Sequence, residues 1–345
     1  MKTILITGGA GFIGSAFTHY IFDKYPDYKI IVVDCLTYAG AVENLPVPIW
    51  QENDERFNFW YGNVTNGELM DTLVSMSDLV VHFAAESHVT RSIYDNTNFF
   101  QTDVLGTQII SNAVCKYIDR VERFIHISSS EVYGTAVTEK MDETHPLNPM
   151  SPYAAAKAGA DRLVHSYCST YNIPAVILRP FNNYGPRQHL EKVIPRFITS
   201  VMLKKKLRIH GDGMSARDFI FVEDTCRAID LVLHAKPDIV IGEVFNIGSE
   251  KHRSILSISG DIIEIMCQDQ MEGFVHIGDR PGQVLRHTSD NTKIKSVLNW
   301  HPTTEWKLGL EKTIQWYQDN ALWWEKQLWM REIPIISASG NRELH

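Results

Sequence analysis

Lys2-Thr3-Ile4-Leu5-Ile6-Thr7 runs without a break into Gly8-Gly9-Ala10-Gly11-Phe12-Ile13-Gly14. An apolar run, a glycine turn, a helix-like stretch Phe12 to Tyr25 and a second apolar run Ile30 to Val33 ending in Asp34 spell strand, turn, helix, strand. Glycines at 8, 11 and 14 allow a tight turn and let a pyrophosphate approach the N-terminus of the helix. Asp34 stands 20 residues after Gly14, where a carboxylate accepts hydrogen bonds from an adenosine ribose and repels a 2′-phosphate. Cys35 and Leu36 offer that phosphate no cation. The predicted cofactor is NAD rather than NADP.

Outward from this unit the alternation continues. Strand-like runs follow at Phe57 to Tyr61, Leu79 to Ala84, Phe124 to Ser128 and Ala175 to Leu178, separated by helical patterns at Gly67 to Ser75, Asn98 to Tyr117 and Ser151 to Tyr171. Such alternation implies an α/β fold, a Rossmann-type doubly wound parallel sheet covered on both faces. From Arg179 the texture changes: Pro180, Pro186 and Pro195 punctuate a loop-rich region, and Gly211-Asp212-Gly213 makes a turn. A smaller C-terminal α+β substrate domain is expected there. Phe219 to Val222 and Val244 to Ile247 read as strands that rejoin the sheet. The expected division is therefore 1–180 and 218–246 for the cofactor, 181–217 and 247–335 for the substrate. Leu322-Trp323-Trp324 and Trp329 read as helix packing, and Ser337 to His345 as a frayed tail.

The composition removes several classes of function. At 44% hydrophobic, with 33 Lys+Arg against 41 Asp+Glu, the chain of 345 residues is globular and acidic, with a net charge of −8 and no basic block. A nucleic-acid partner is not expected. No apolar run reaches the roughly 18 to 20 residues of a membrane span, and Ile4-Leu5-Ile6 is too short for a signal peptide. Cys35, Cys115, Cys168, Cys226 and Cys267 are odd in number and never in CxxC spacing, which suits reduced thiols in a cytoplasmic protein. His88 and His126 have no Cys or acidic partners at metal spacing, and no metal is expected.

Tyr153 and Lys157 stand at i and i+4 on a predicted helix, so a phenol and an ammonium share one face. An adjacent cation favours the phenolate and can make it a general base. Ser128-Ser129-Ser130-Glu131 lies just past the fifth strand, on the carboxyl edge of the sheet where open α/β folds bind ligands.

Taken together, Gly8 to Gly14, Asp34, Tyr153 and Lys157 resemble the extended short-chain dehydrogenase/reductase family over nearly the whole chain. Within it, Asp34 to Gly40, Ala84-Ala85-Glu86-Ser87-His88-Val89, Asn182 to Pro186, Glu191-Lys192-Val193-Ile194-Pro195 and Asp279 to Gly282 are similar to the nucleotide-sugar 4,6-dehydratases, the dTDP-glucose enzymes most of all. The resemblance implies a homodimer and a nucleotide-diphosphate sugar substrate. Tyr153, helped by Lys157 and Ser129, would remove the O4 proton as hydride passes from C4 to NAD. Glu131 would then take the C5 proton, the C6 hydroxyl would leave as water, and hydride would return to C6. It assigns Leu36, Thr37, Ala84, Ala85 and Ser87 to the cofactor beside the glycines, Phe12, Ile13 and Asp34. To the substrate it assigns Ser87, His88, Asn182, Glu191, Lys192, Val193, Arg217, Asn246 and Arg286. One departure stands out: Ser130 occupies the place of the family's Asp, the acid for the departing hydroxyl. A hydroxyl residue followed by Ser-Glu resembles the GDP-mannose 4,6-dehydratases, which still dehydrate, but also the UDP-glucuronate decarboxylases, which do not, so that activity, a 4-epimerase and a catalytically silent NAD-binding sensor or scaffold remain open. Asn63 and Asp103 stand where Asp and Asn are more usual.

Overall fold

The computed structural model describes residues 1–48, 55–266, 273–279, 281–336 and 340–344. The opening run forms β1 (Thr3–Thr7), the glycines turn it, and α1 (Phe12–Lys24) leads into β2 (Lys29–Asp34). The same alternation yields β3 (Phe57–Tyr61), α2 (Gly67–Ser75), β4 (Leu79–His82), α3 (Val89–Tyr94), α4 (Thr97–Phe99) and α5 (Thr107–Lys116). Then come β5 (Arg123–Ile127), α6 (Pro152–Tyr171) and β6 (Ala175–Pro180). After β7 (Asn182–Tyr184), α7 (Val193–Met202), β8 (Leu207–His210), β9 (Ala216–Phe221) and α8 (Val222–His234), the chain returns to the large sheet as β10 (Val244–Ile247).

Seven parallel strands lie in the order β10-β6-β5-β4-β1-β2-β3. This is the doubly wound Rossmann order with one strand added beyond β6. The central strands are apolar on both faces because both are covered. Phe17 and Ile21 of α1 pack with Cys226, Ile229 and Val232 of α8 on one side. Met70 and Leu73 of α2, Ile110 and Val114 of α5 and Val164 of α6 close the other. The order reverses between β1 and β4, which opens a crevice at their carboxyl ends.

Helix α6 is well specified locally. Ser151 caps it, its Oγ accepting from the Ala154 amide, Pro152 holds the first position, and Asn172 ends it in the left-handed region. Tyr153 and Lys157 thus sit in its first two turns, against the crevice.

The structure corrects the placement of one expected strand. Of the segment predicted at Phe219 to Val222, Phe219 to Phe221 belong to β9 and Val222 begins α8; β9 does not rejoin the large sheet but pairs with β7 and with His252–Ser254 in a separate three-stranded sheet. Phe219 and Phe221 pack there beside Tyr184 and Trp306, while β10 takes the edge of the large sheet. At the C-terminal end Trp324 is buried and Trp323 packs beside it, but Leu322 and Trp329 face solvent. The tail is not frayed throughout, since Arg342–Leu344 pairs antiparallel with Pro334–Ile336. Residues 337–339 and 345 of that tail, Cys267 and Arg280 lie outside the described residues.

Candidate active site

One continuous cavity runs from the glycine turn to the three-stranded sheet. At its first end Gly8 has a φ of +69°, and a Cβ there would lie 2.6 Å from the Ala84 nitrogen. A Cβ on Gly14 would lie 2.2 Å from the Gly8 carbonyl. Only glycine permits this approach of turn, helix and neighbouring strand. Gly11 begins α1 with no side-chain cap, and the first turn carries no acidic residue, so its amides and dipole face the cavity without a competing anion. Asp34 closes this end. Its Oδ2 accepts from the Ala10 amide at 3.0 Å and its Oδ1 from the Leu36 amide at 2.8 Å. Burial pushes its carboxyl above the usual range, and these two amides oppose that shift. A turn cut to backbone thickness, uncapped helix amides and a carboxylate at the end of β2 fit a dinucleotide with a free ribose.

Phe12, Ile13, Thr37, Ala84, Ala85 and Ser87 line the same wall. So does Tyr38, which lies within the Asp34 to Gly40 motif but to which the resemblance assigns no role; the Arg91 guanidinium lies 4.1 Å from its ring centroid.

In the middle stand Ser129, Ser130, Glu131, Tyr153 and Lys157. Burial raises the Tyr153 phenol, and a hydrogen bond with Ser129 opposes it. Lys157 is buried, its Nζ donating to the Ile127 carbonyl at 2.6 Å; burial lowers its pKa and nearby Asp103 opposes that. The strand end that carries the serines is anchored from behind. Ser128 donates to Asp161 at 2.8 Å, Arg179 holds both carboxylate oxygens of Asp161, and Arg179 also donates to the Tyr133 hydroxyl.

Beside Tyr38, Glu191 is buried among cations. Arg91 Nε donates to its Oε2 at 2.8 Å, with Nδ1 of His88 and of His189 each 3.8 Å away. Burial alone would raise its carboxyl, but the surrounding positive charge holds it down to about 2. His88 contributes most of that charge, followed by Lys192, His189 and Arg91; the His189 imidazole is itself pushed down to about 4, chiefly by burial. Lys192 also donates to the Ser87 carbonyl at 2.6 Å, tying the start of α7 to the loop after β4. Glu131 is paired in turn, its Oε1 3.8 Å from Arg217 Nε. Asn182, His88, Val89 and Val193 complete the lining, and Arg196 and Arg208 add cations that spacing alone did not reveal.

Residues 5–313 match a protein-family model described as GDP-mannose 4,6 dehydratase. This chain belongs to that family. Among relatives, it is 43% identical to the low-salt glycan biosynthesis protein Agl12 of Haloferax volcanii, over 91% of this chain and 98% of that one. It is 40% identical to the dTDP-glucose 4,6-dehydratase of Mycobacterium tuberculosis, over 93% and 95%. The crystal structure of DesIV, a dTDP-glucose 4,6-dehydratase from Streptomyces venezuelae with NAD bound, superposes with a TM-score of 0.88 at 38% identity, covering 94% of this chain and 99% of that one. The resemblance carried by the motifs is thereby borne out, and with it the Rossmann-type fold.

Three residues that the dehydratase motifs had assigned to ligands are not brought into the cavity. Asn246 is fully buried: its Oδ1 accepts from the Tyr133 hydroxyl, its Nδ2 donates to the Met141 carbonyl and its amide donates to Glu143. It belongs to the anchor behind Ser128. Arg286 turns outward and donates to the carbonyls of Thr138 and Glu139. Leu36 has a φ of +51°, which turns its amide to Asp34 while its side chain packs on the core.

Proposed function

We propose that this member of the GDP-mannose 4,6 dehydratase family is an NAD-dependent nucleotide-sugar 4,6-dehydratase. It converts a nucleoside-diphosphate hexose of the dTDP-glucose or UDP-glucose type to the 4-keto-6-deoxy sugar. The observation that carries this reading is Glu131, a carboxylate in the same cavity as Tyr153, Lys157 and Ser129 and within 3.8 Å of Arg217. A 4-epimerase leaves the C5 proton in place and has no use for such a base, and a silent cofactor sensor would need the glycines without the phenol. A decarboxylase is the reading that Ser130 keeps alive.

Gly8, Gly11, Gly14, Ala84, Ala85 and Asp34 hold the dinucleotide. When bound, NAD would supply the hydride acceptor for C4 and the hydride donor for C6. Tyr153 takes the O4 proton, Lys157 stabilises the phenolate by its charge, and Ser129 hydrogen-bonds the same oxygen. The 4-ketone acidifies C5, and Glu131 removes that proton. Glu191 and Lys192 orient the sugar, while Arg217, Arg196 and Arg208 provide the donors for diphosphate and base. Residues 1–180 and 222–246 serve the cofactor and 181–221 and 247–335 the sugar nucleotide, the expected boundary at 218 moving to the end of β9 because that strand lies in the three-stranded sheet. The apolar side chains that Phe100, Leu105 and Tyr171 expose on the helical layer support a homodimer. Free Cys35, Cys115, Cys168 and Cys226 support a reducing, cytoplasmic compartment.

The test is a panel of dTDP-, UDP- and GDP-hexoses and UDP-glucuronate in heavy water, read by mass. The expected product has lost one water and carries one deuterium at C5. Carbon dioxide from UDP-glucuronate, with no hexose losing water, would transfer the chain to the decarboxylases.

A further inference from the structure

The departing hydroxyl of a dehydratase needs a proton, and beside the base this chain carries Ser130 in place of a carboxylic acid. Ser130 is nearly buried at the cavity wall, and its Oγ lies 3.4 Å from Nδ1 of His287. His287 is fully buried behind it, with Nε2 2.6 Å from the Gly134 carbonyl and the Phe181 ring edge-on at 6.1 Å. A carbonyl only accepts, so Nε2 carries the hydrogen, and in the neutral ring Nδ1 is a bare acceptor. Burial pushes the imidazolium down to about 4, Glu131 opposing and Arg217 and His145 reinforcing that shift, so the ring is neutral at pH 7. The hydroxyl hydrogen of Ser130 therefore points at His287, and its oxygen presents lone pairs to the cavity.

We infer that His287 is a positioning residue that fixes Ser130 as a hydrogen-bond acceptor for the sugar's 6-hydroxyl, leaving Glu131 to carry the proton both from C5 and to the departing oxygen. This rests on the 4,6-dehydratase reading. The step balances on one carboxylate. Glu131 takes the C5 proton, and the C–H electrons form the enolate of the 4-ketone. As that enolate collapses to the C5=C6 double bond, the C6–O bond breaks. Glu131 returns its proton to the oxygen, and water leaves. Arg217, beside Glu131, favours its return to the carboxylate.

The arrangement also says what an acid introduced at 130 would do. An Asp there would meet a bare Nδ1, hand over its proton and become an ion pair with His287, unable to protonate anything. It becomes a usable acid only when the imidazole is gone.

The experiment uses the full chain with its NAD and the hexose that it turns over, following cofactor reduction by absorbance and water loss by mass in single turnovers. In His287→Phe we expect water loss about tenfold slower, the worth of one misdirected hydrogen bond, with KM and C4 oxidation within about twofold, so that reduced cofactor accumulates. His287→Asn, whose amide oxygen can stand where Nδ1 stands, restores water loss to within about threefold of the parent. Ser130→Asp alone is slower than the parent, and Ser130→Asp with His287→Phe exceeds Ser130→Asp by about tenfold or more. The inference is overturned if His287→Phe slows oxidation and elimination alike, if it changes neither, or if Ser130→Asp outruns the parent with His287 in place. The Ser130→Asp comparison stands even if His287→Phe does not fold. A parent enzyme that removes water from no hexose instead overturns the dehydratase reading itself.

Discussion

The cofactor end of the cavity is built from main chain, the sugar end from side chains. Gly8, Gly11 and Gly14 work by lacking a Cβ, and Asp34 is held by two backbone amides. All lie within one strand-helix-strand unit. On the sugar side the adjacent Ser130 and Glu131, Arg217 and His287 come from three separate segments and meet only when β9 and the segment that carries His287 fold back on the end of β5. A site made of backbone tolerates almost no change, whereas one made of side chains can keep its outline while its chemistry shifts, as Ser130 illustrates.

Removing the phenol where the two ends meet should have the largest effect. Tyr153→Phe deletes one oxygen and keeps the ring's edge contact with Phe99, at 6.2 Å, so the fold should survive. Turnover is expected to fall about a hundredfold or more. Normal turnover in the folded variant would remove the phenol from the mechanism and move the chemistry wholly onto the Glu131 side.

The backbone end is tested by adding rather than removing atoms. A Cβ at Gly14 would sit 2.2 Å from a carbonyl oxygen, a contact that only a shift of the turn relieves. Gly14→Ala should therefore weaken NAD binding about tenfold, the consequence of overpacking by a few kcal/mol at most, and lower the melting temperature as well. Calorimetric titration with NAD measures the first, and an unchanged affinity would show that the turn adapts and that the contrast between the two ends is overdrawn.

The same contrast explains what could be read from the chain. Spacing revealed the glycines, Asp34 and the Tyr153–Lys157 pair because one strand or one helix fixes their mutual geometry. The family resemblance, which assigned Asn246 and Arg286 to the substrate, gives a position but not a direction: one side chain reaches back to Tyr133 and Met141 and the other out to Thr138 and Glu139. Alternation showed that Phe219 and Phe221 lie on a strand but could not say in which sheet. His287 was invisible for a deeper reason. Its partner Ser130 is 157 residues away, and nothing local marks a histidine after Arg286 as anything but packing.

Asp103 gives the smallest expected effect and the finest test, since it lies between the two ends. It occupies the π-helical stretch Phe100–Gly106, where its Oδ1 accepts from the Glu86 amide at 2.8 Å and its Oδ2 has no hydrogen-bond partner. Burial pushes its carboxyl up to about 8, with Lys157 opposing. An unfolded Asp releases its proton near pH 4, so between about pH 4 and pH 8 the folded chain binds more protons than the unfolded one. Stability contributed by this group is complete below about pH 4 and is lost as pH rises through 8. Asp103→Asn keeps the shape and the Glu86 bond while removing the charge. It should leave the melting temperature nearly unchanged at pH 4 and raise it by a few degrees at pH 8, where each 1 kcal/mol is worth about 2 °C in a chain of this size. The check is a thermal melt of parent and variant across that range. A difference that does not grow with pH would mean that Lys157 keeps Asp103 ionised in the fold, and would make the pair a salt bridge between the cofactor and sugar ends rather than a buried acid.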